Sequence, residues 1–369
     1  MRERSVRGAA RTGRPRFTST VTDRSVARSA TTVGELLERW FELVAVGWSP
    51  ATVRHTRSVL RCQLLPHLGD VRLGDLSAER IDVLYAELRA RGRQRGQPLA
   101  PGTIKRVHVV LHSALAQAMR WGWIWDNPAD RAHRITAIAR EPEPPTVEEL
   151  TTLLDHVRAR DPAFHVLLVL AATTGARRAQ LLALRWRDVN LEVGRIAFCG
   201  GWVEGEHGPV LTATKTKRRH AVDVDDMVSA LVDDHRRRCL AHAGGEFGRD
   251  AFVFANDADG SVAWKPNWVT KTFLRYQREL GVRAFRLHDL RHFMATQMLD
   301  LGIPLTVVAR RLDHRRVSTT LDFYSHVITG RDRFAAERLA RALYSRQEDE
   351  QTLGLTIPPP AAHARRHDS

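Results

Sequence analysis

With 369 residues, 43% of them hydrophobic, the chain is long for one domain and rich enough in apolar residues for two packed cores, which excludes a wholly disordered protein. The 57 Lys and Arg outnumber the 42 Asp and Glu and leave a formal charge of +15, a balance suited to a polyanionic partner, most simply nucleic acid. Cys62, Cys199 and Cys239 are isolated, with no C-x-x-C pair, which argues against a zinc ribbon or a disulfide framework and for a reducing, cytoplasmic setting without a membrane span.

Residues 1–30 carry eight arginines and two acids, Glu3 and Asp23, with little apolar pattern, and read as a basic disordered arm. Helix begins after Thr32, where Thr32 and Glu35 form a capping box and Val33, Leu36, Leu37, Trp40 and Phe41 recur at helical spacing. A second helix opens at Ser49-Pro50, a third follows Ser77 with Ile81, Leu84, Tyr85 and Leu88 on one face, and a fourth runs from Thr103 to about Trp121. Residues 31–138 therefore read as a small helical bundle. Arg54, His55, Arg57, Lys105, Arg106 and His108 fall on its second and fourth helices, where phosphate contact competes with an ordinary solvated face.

Acids and prolines crowd residues 139–145, a linker composition. A second capping box, Thr146 with Glu149, opens residues 146–345, which mix helices with short strands around "GRIAFCG", "GPVLTATKTKRRHAVDV" and "AFVFAND". Residues 346–369 read as a disordered tail.

The chemistry lies in this second half. In "RLHDLRHF", His288 and His292 stand at i and i+4 with Asp289 and Arg291 between them, one residue from a zinc-hydrolase pattern. A zinc base would be Glu at position 289, a third ligand is missing downstream, and Arg291 would repel the metal, so an anion site is the better reading. Arg177 follows Gly175 at a helix start, a place that favours anions. Lys215 falls at a hairpin turn, and His314 precedes Tyr324 by ten residues.

The ordered set "TGARR…LLALRWRDV", "KTKRRHAV", "HDLRH" and "LDHRRVSTTLDFYSHV" resembles the boxes of the tyrosine recombinase (phage integrase) family. The resemblance implies an α+β chain: an N-terminal helical, SAM-like core-binding bundle, then a mixed, mainly helical catalytic domain with a small β-sheet. It implies that Tyr324 attacks the scissile phosphate to form a 3′-phosphotyrosine. Arg177 and Arg291 would hold the non-bridging oxygens, Lys215 would protonate the leaving 5′-oxygen, and His288 and His314 would assist proton transfer. No cofactor and no metal are implied; the partners implied are double-stranded DNA at a core site, three further copies in a tetramer, and an accessory directionality factor. Two positions depart from the family pattern: Gln180 replaces an acid and Asp313 replaces the glycine before the histidine. Two competing functions are a non-cutting DNA-binding regulator of the same fold and a type IB topoisomerase.

Overall fold

The computed structural model describes residues 31–92, 96–133, 135–136, 143–213, 220–314, 316–318, 320–321, 336–337 and 339–340. The basic arm, the tail, Lys215 and Tyr324 all lie outside them. The chain divides into two compact units, Met1–Glu141 with Val203–Thr212, and Pro142–Trp202 with Ala213–Ser369.

In the first unit, α1 (Val33–Ala45) begins with the expected capping box: Thr32 Oγ1 accepts from the Glu35 N–H, and the Glu35 carboxylate accepts from the Thr32 N–H. α2 (Pro50–Val59) is capped by Ser49. It runs on through one π-helical turn, Leu60–Leu64, into the short α3 (Leu65–Leu68). Pro66 accounts for the wider turn: its ring collides with the Cys62 carbonyl in a regular α-helix, and it has no N–H to donate. α4 (Ala78–Arg91) buries Ile81, Leu84, Tyr85 and Leu88, the face its periodicity predicts, against α5 (Pro101–Arg120).

The basic face of this bundle is divided. His108 turns inward, its Nδ1 2.8 Å from the Tyr85 hydroxyl. The Arg57 guanidinium lies 4.7 Å over the Phe41 ring and its Nε sits 2.5 Å from Glu206. His55, Lys105 and Arg106 are exposed.

The second unit is built around α7 (Pro162–Thr174), an apolar helix whose Phe164, Val166, Leu167, Leu168 and Leu170 are fully buried. It packs against α6 (Val147–Arg160), and α6 starts at the second expected capping box. The short α8 (Arg178–Leu182) follows; Leu184 and Trp186 lie beyond its end, and both are buried, Trp186 at the start of a 3-10 turn. A three-stranded antiparallel sheet has the order β1 (Val189–Asn190), β2 (Arg195–Phe198), β5 (His220–Asp223), with Ile196 opposite Val222 and Phe198 opposite His220. β3 (Gly200–Glu204) and β4 (Pro209–Ala213) form a separate two-stranded ribbon, of which Val203–Thr212 belongs to the first unit.

The expected strand in "AFVFAND" is not formed. Residues 251–254 are all buried, and their backbone bonds go to scattered partners, Phe252 N–H to Gly260 and Val253 N–H to Leu184, instead of to one ladder. Helices α9 (Asp226–His242), α10 (Pro266–Leu280), α11 (Asp289–Asp300) and α12 (Leu305–Arg311) complete the unit, with α9 and α11 packed on α7. Among the described residues no helix is long and apolar enough to cross a membrane. The expected linker is partly tied down, since Arg283 donates to the carbonyls of Glu143 and Pro144.

α7 ends at Gly175, which takes the left-handed conformation with φ of 66°. A Cβ at this position would lie 2.2 Å from Met294 Cε and 3.2 Å from Leu312 Cδ2. Gly175→Ala should therefore cost about 2–4 kcal/mol, the sum of left-handed strain and overpacking. Urea unfolding checks this, and an unchanged midpoint would show that the turn accepts a side chain.

Candidate active site

The two arginines that follow Gly175 have different fates. Arg178 points into the unit, donating to the Pro266 carbonyl at 3.1 Å and to the Thr270 hydroxyl. Arg177 stays exposed at the start of α8, with Nη1 4.0 Å from Asp313 Oδ2. Gln180, buried, accepts the Arg177 backbone N–H through Oε1 at 2.9 Å. The amide thus holds the main chain of Arg177 where the family has an acid.

Arg291, on the first turn of α11, is 5% exposed. Its Nη1 donates to the Gly175 carbonyl at 2.6 Å and its Nη2 to the Leu312 carbonyl. Both acceptors are C-cap residues, of α7 and α12, where helix carbonyls lack intrahelical partners and the dipole is negative. A buried guanidinium is thereby oriented by carbonyls.

Asp313 follows α12 in the left-handed conformation, φ 54°, and is the one non-glycine with positive φ among the described residues. Asp313 N–H bonds the Arg310 carbonyl and His314 N–H bonds the Ala309 carbonyl, each at 3.0 Å, the paired closure that usually takes glycine at this position. The departure from glycine is accommodated because a short polar side chain tolerates this backbone region. His314 comes next in the turn, with Nδ1 2.8 Å from the hydroxyl of the fully buried Thr320.

His288 precedes α11, and its ring meets that of His292 edge-to-face at 5.2 Å and 90°. Asp289 is bonded to Arg286. It is buried, accepts the Arg286 N–H at 2.7 Å and pairs with the Arg286 guanidinium at 2.7 Å. Burial alone would raise the Asp289 pKa; the side-chain and then the backbone hydrogen bonds of Arg286 overcome it and hold the carboxylate below its usual range. Among the described residues no group of three or more His, Cys, Asp or Glu is placed to hold a metal.

The electrostatics tie these pieces together. His314 is pushed down to about 4, first by burial, then by the charges of Arg291 and Arg177. His288 keeps an exposed edge, yet it is also pushed down to about 4 by desolvation of its ring, then by His292, Arg291 and Arg286. The charge of Arg291 thus reaches both His288 and His314, and that of Arg177 reaches His314.

Sequence reasoning missed two members of this cluster. His220 on β5 donates from Nε2 to the Arg311 carbonyl at 2.9 Å, and Arg311 in turn donates to the Thr173 carbonyl at 3.2 and 2.9 Å. Burial lowers the pKa of His220, with the charges of Arg291 and Arg177 adding to it and Asp313 and the Arg311 carbonyl opposing it. The available signal was the two-residue period of β5, which puts His220 on the same face as the buried Val222.

Residues 145–331 match the phage integrase family, and residues 32–88 match the phage integrase N-terminal SAM-like domain. A tyrosine recombinase XerC-like protein of Caldanaerobacter subterraneus is 24% identical over 335 residues, covering 84% of this chain and 82% of that one. A putative prophage phiRv2 integrase of Mycobacterium tuberculosis is 26% identical over 316 residues, covering 84% and 78%. Among solved structures, the Tn1549 transposon integrase in complex with circular intermediate DNA aligns with TM-score 0.69 and 16% identity over 84% of this chain and 99% of that one. A lambda integrase dimer bound to a core site aligns with TM-score 0.63 and 17% identity over 84% and 81%. Fold, ordered boxes and matched domains agree on the class, and the chain belongs to the phage integrase family of tyrosine recombinases.

Because His288 and His314 are held near 4, the folded chain binds fewer protons than the unfolded one, whose histidines titrate near 6.5, across that interval. This contribution to stability is complete above pH 6.5 and is lost as the pH falls toward 4. The thermal unfolding midpoint should drop over this interval, and His314→Gln, which removes one titrating ring but keeps a partner for Thr320, should flatten the slope. Identical slopes for the variant and the parent would mean that the ring of His314 is not held neutral.

Proposed function

We propose that the chain is a site-specific DNA recombinase that cuts and rejoins strands through a 3′-phosphotyrosine on Tyr324. The observation that carries the reading is the convergence of Arg177, Arg291, His288 and His314, brought from three separated boxes and each felt electrostatically by another. Such a cluster suits the phosphodiester transition state, whose charge gathers on the non-bridging oxygens and is stabilised by fixed guanidinium groups.

In this mechanism the Tyr324 oxygen forms a bond to phosphorus as the bond to the 5′-oxygen breaks, and Lys215 supplies the proton that the 5′-oxygen takes. Arg177 and Arg291 hold the non-bridging oxygens. His288 and His314 start as neutral rings near pH 7 and gain basicity when a phosphate arrives beside them, so each can take or return a proton. Reversal by a 5′-hydroxyl of the exchange partner regenerates Tyr324 and the diester. The phosphotyrosine retains the energy of the broken bond, so the cycle needs no nucleotide, and the arginines and Lys215 take the charge-stabilising part that a metal would otherwise play.

The DNA partner is a core-site duplex. Support comes from the net charge of +15, the exposed His55, Lys105 and Arg106 on the bundle, and the DNA complexes of the structural relatives. Exchange between two duplexes takes four cleavages, which calls for a tetramer on DNA; lambda integrase has been solved as a tetramer bound to a Holliday junction. Leu339, 63% exposed, lies in the C-terminal segment that would serve such contacts. An accessory factor would set the direction of exchange.

Tyr324→Phe should abolish the covalent protein–DNA adduct on a nicked duplex while leaving DNA affinity within about twofold, since only the phenolic oxygen can accept the phosphate. Adduct formed by the variant would transfer the role to another nucleophile. Wild-type adduct formation should also persist in excess EDTA, and loss of it on chelation would overturn the metal-free mechanism.

A further inference from the structure

The turn that presents His314 is held by two consecutive carbonyls. Leu312 O accepts from Arg291, a residue already placed at the phosphate. Arg311 O, one residue earlier, lies 2.9 Å from His220 Nε2. The His220 ring also stacks on Phe198, its cross-strand partner in β2, with centroids 6.2 Å apart and planes 24° apart. One face of the imidazole is thus fixed by the sheet while its edge reaches the end of α12. The carbonyl can only accept, so Nε2 carries the proton and donates.

The Arg311 side chain extends the connection to the first arginine box. It donates twice to the Thr173 carbonyl, two residues before Gly175, and so links the end of α7 to the end of α12. Beyond Arg311, the turn closes through Asp313 and His314 onto the carbonyls of Arg310 and Ala309. A shift of the Arg311 peptide would move both His314 and the carbonyl that orients Arg291.

We propose that His220 is a positioning residue for strand cleavage: by donating from Nε2 to the Arg311 carbonyl while stacked on Phe198, it ties β5 to the turn that carries His314. His220 touches no reacting atom in this role. The catalytic part of the inference rests on the assignment of His314, Lys215 and Tyr324 proposed above; the positioning part does not.

Two variants of the full-length chain separate donor from ring. His220→Phe keeps a ring for Phe198 and loses the donor; His220→Gln keeps a donor and loses the ring. Hydrogen–deuterium exchange on the free protein should show faster uptake across residues 309–314 in His220→Phe, with α7 unchanged, and uptake close to wild type in His220→Gln. On a duplex selected from random DNA by binding to the wild-type chain, single-turnover adduct formation by His220→Phe should fall about tenfold to a hundredfold, the usual cost of a misplaced catalytic group. Duplex affinity should stay within about twofold, and His220→Gln should recover most of the rate.

Wild-type exchange and rate in His220→Phe would overturn the proposal. So would equal losses of unfolding midpoint, duplex affinity and rate in both variants, which would reduce His220 to a core residue. A wild-type chain that forms no adduct would instead sink the Tyr324 assignment, and the exchange measurement would still decide whether His220 holds the turn.

Discussion

A buried cation in this unit is held by the ends of two helices, and most of the site follows from it. Arg291 donates to Gly175 O and Leu312 O, the C-caps of α7 and α12. Burying a guanidinium costs several kcal/mol unless its donors find partners, and helix C-termini supply carbonyls together with about half a negative charge each.

The requirement propagates through the backbone. For the Gly175 carbonyl to face Arg291, the end of α7 turns left-handed at a place where Met294 and Leu312 leave no room for a side chain. For the Leu312 carbonyl to do the same, α12 is closed by Asp313, also left-handed, and the turn carries His314 within reach of the charges of both arginines. Local strain at residue 313 is the consequence of ending a helix where the site needs it to end. Asp313 also places a carboxylate 4.0 Å from Arg177, an electrostatic compensation that glycine would lack.

Charge crowding has a second effect. The histidines at positions 220, 288, 292 and 314 are all lowered, with burial the largest cause and arginine charge contributing to each. Neutral imidazoles beside guanidinium groups gain basicity from a nearby negative charge, which favours the protonation that the arginines disfavour. The histidine pair that resembles a metal motif serves this electrostatic arrangement, and the aspartate between them serves the start of α11.

The sequence by itself determined what depends on near neighbours along the chain. Both capping boxes, the Ser49-Pro50 helix start and the buried face of α4 are set by contacts within a turn or two, and they were legible in full. The order of the boxes named the family, and Arg177, Arg291, His288 and His314 fall in one unit; Lys215 and Tyr324 fall outside the described residues. Tertiary structure decided the rest. It turned Arg178 inward to α10 and left Arg177 exposed, though the two are adjacent and identical. It denied "AFVFAND" a ladder by offering its backbone partners as far away as Leu184, and it recruited His220 through the Arg311 carbonyl. Those outcomes depend on which distant groups arrive to satisfy a buried donor or acceptor, and periodicity along one chain holds no record of that.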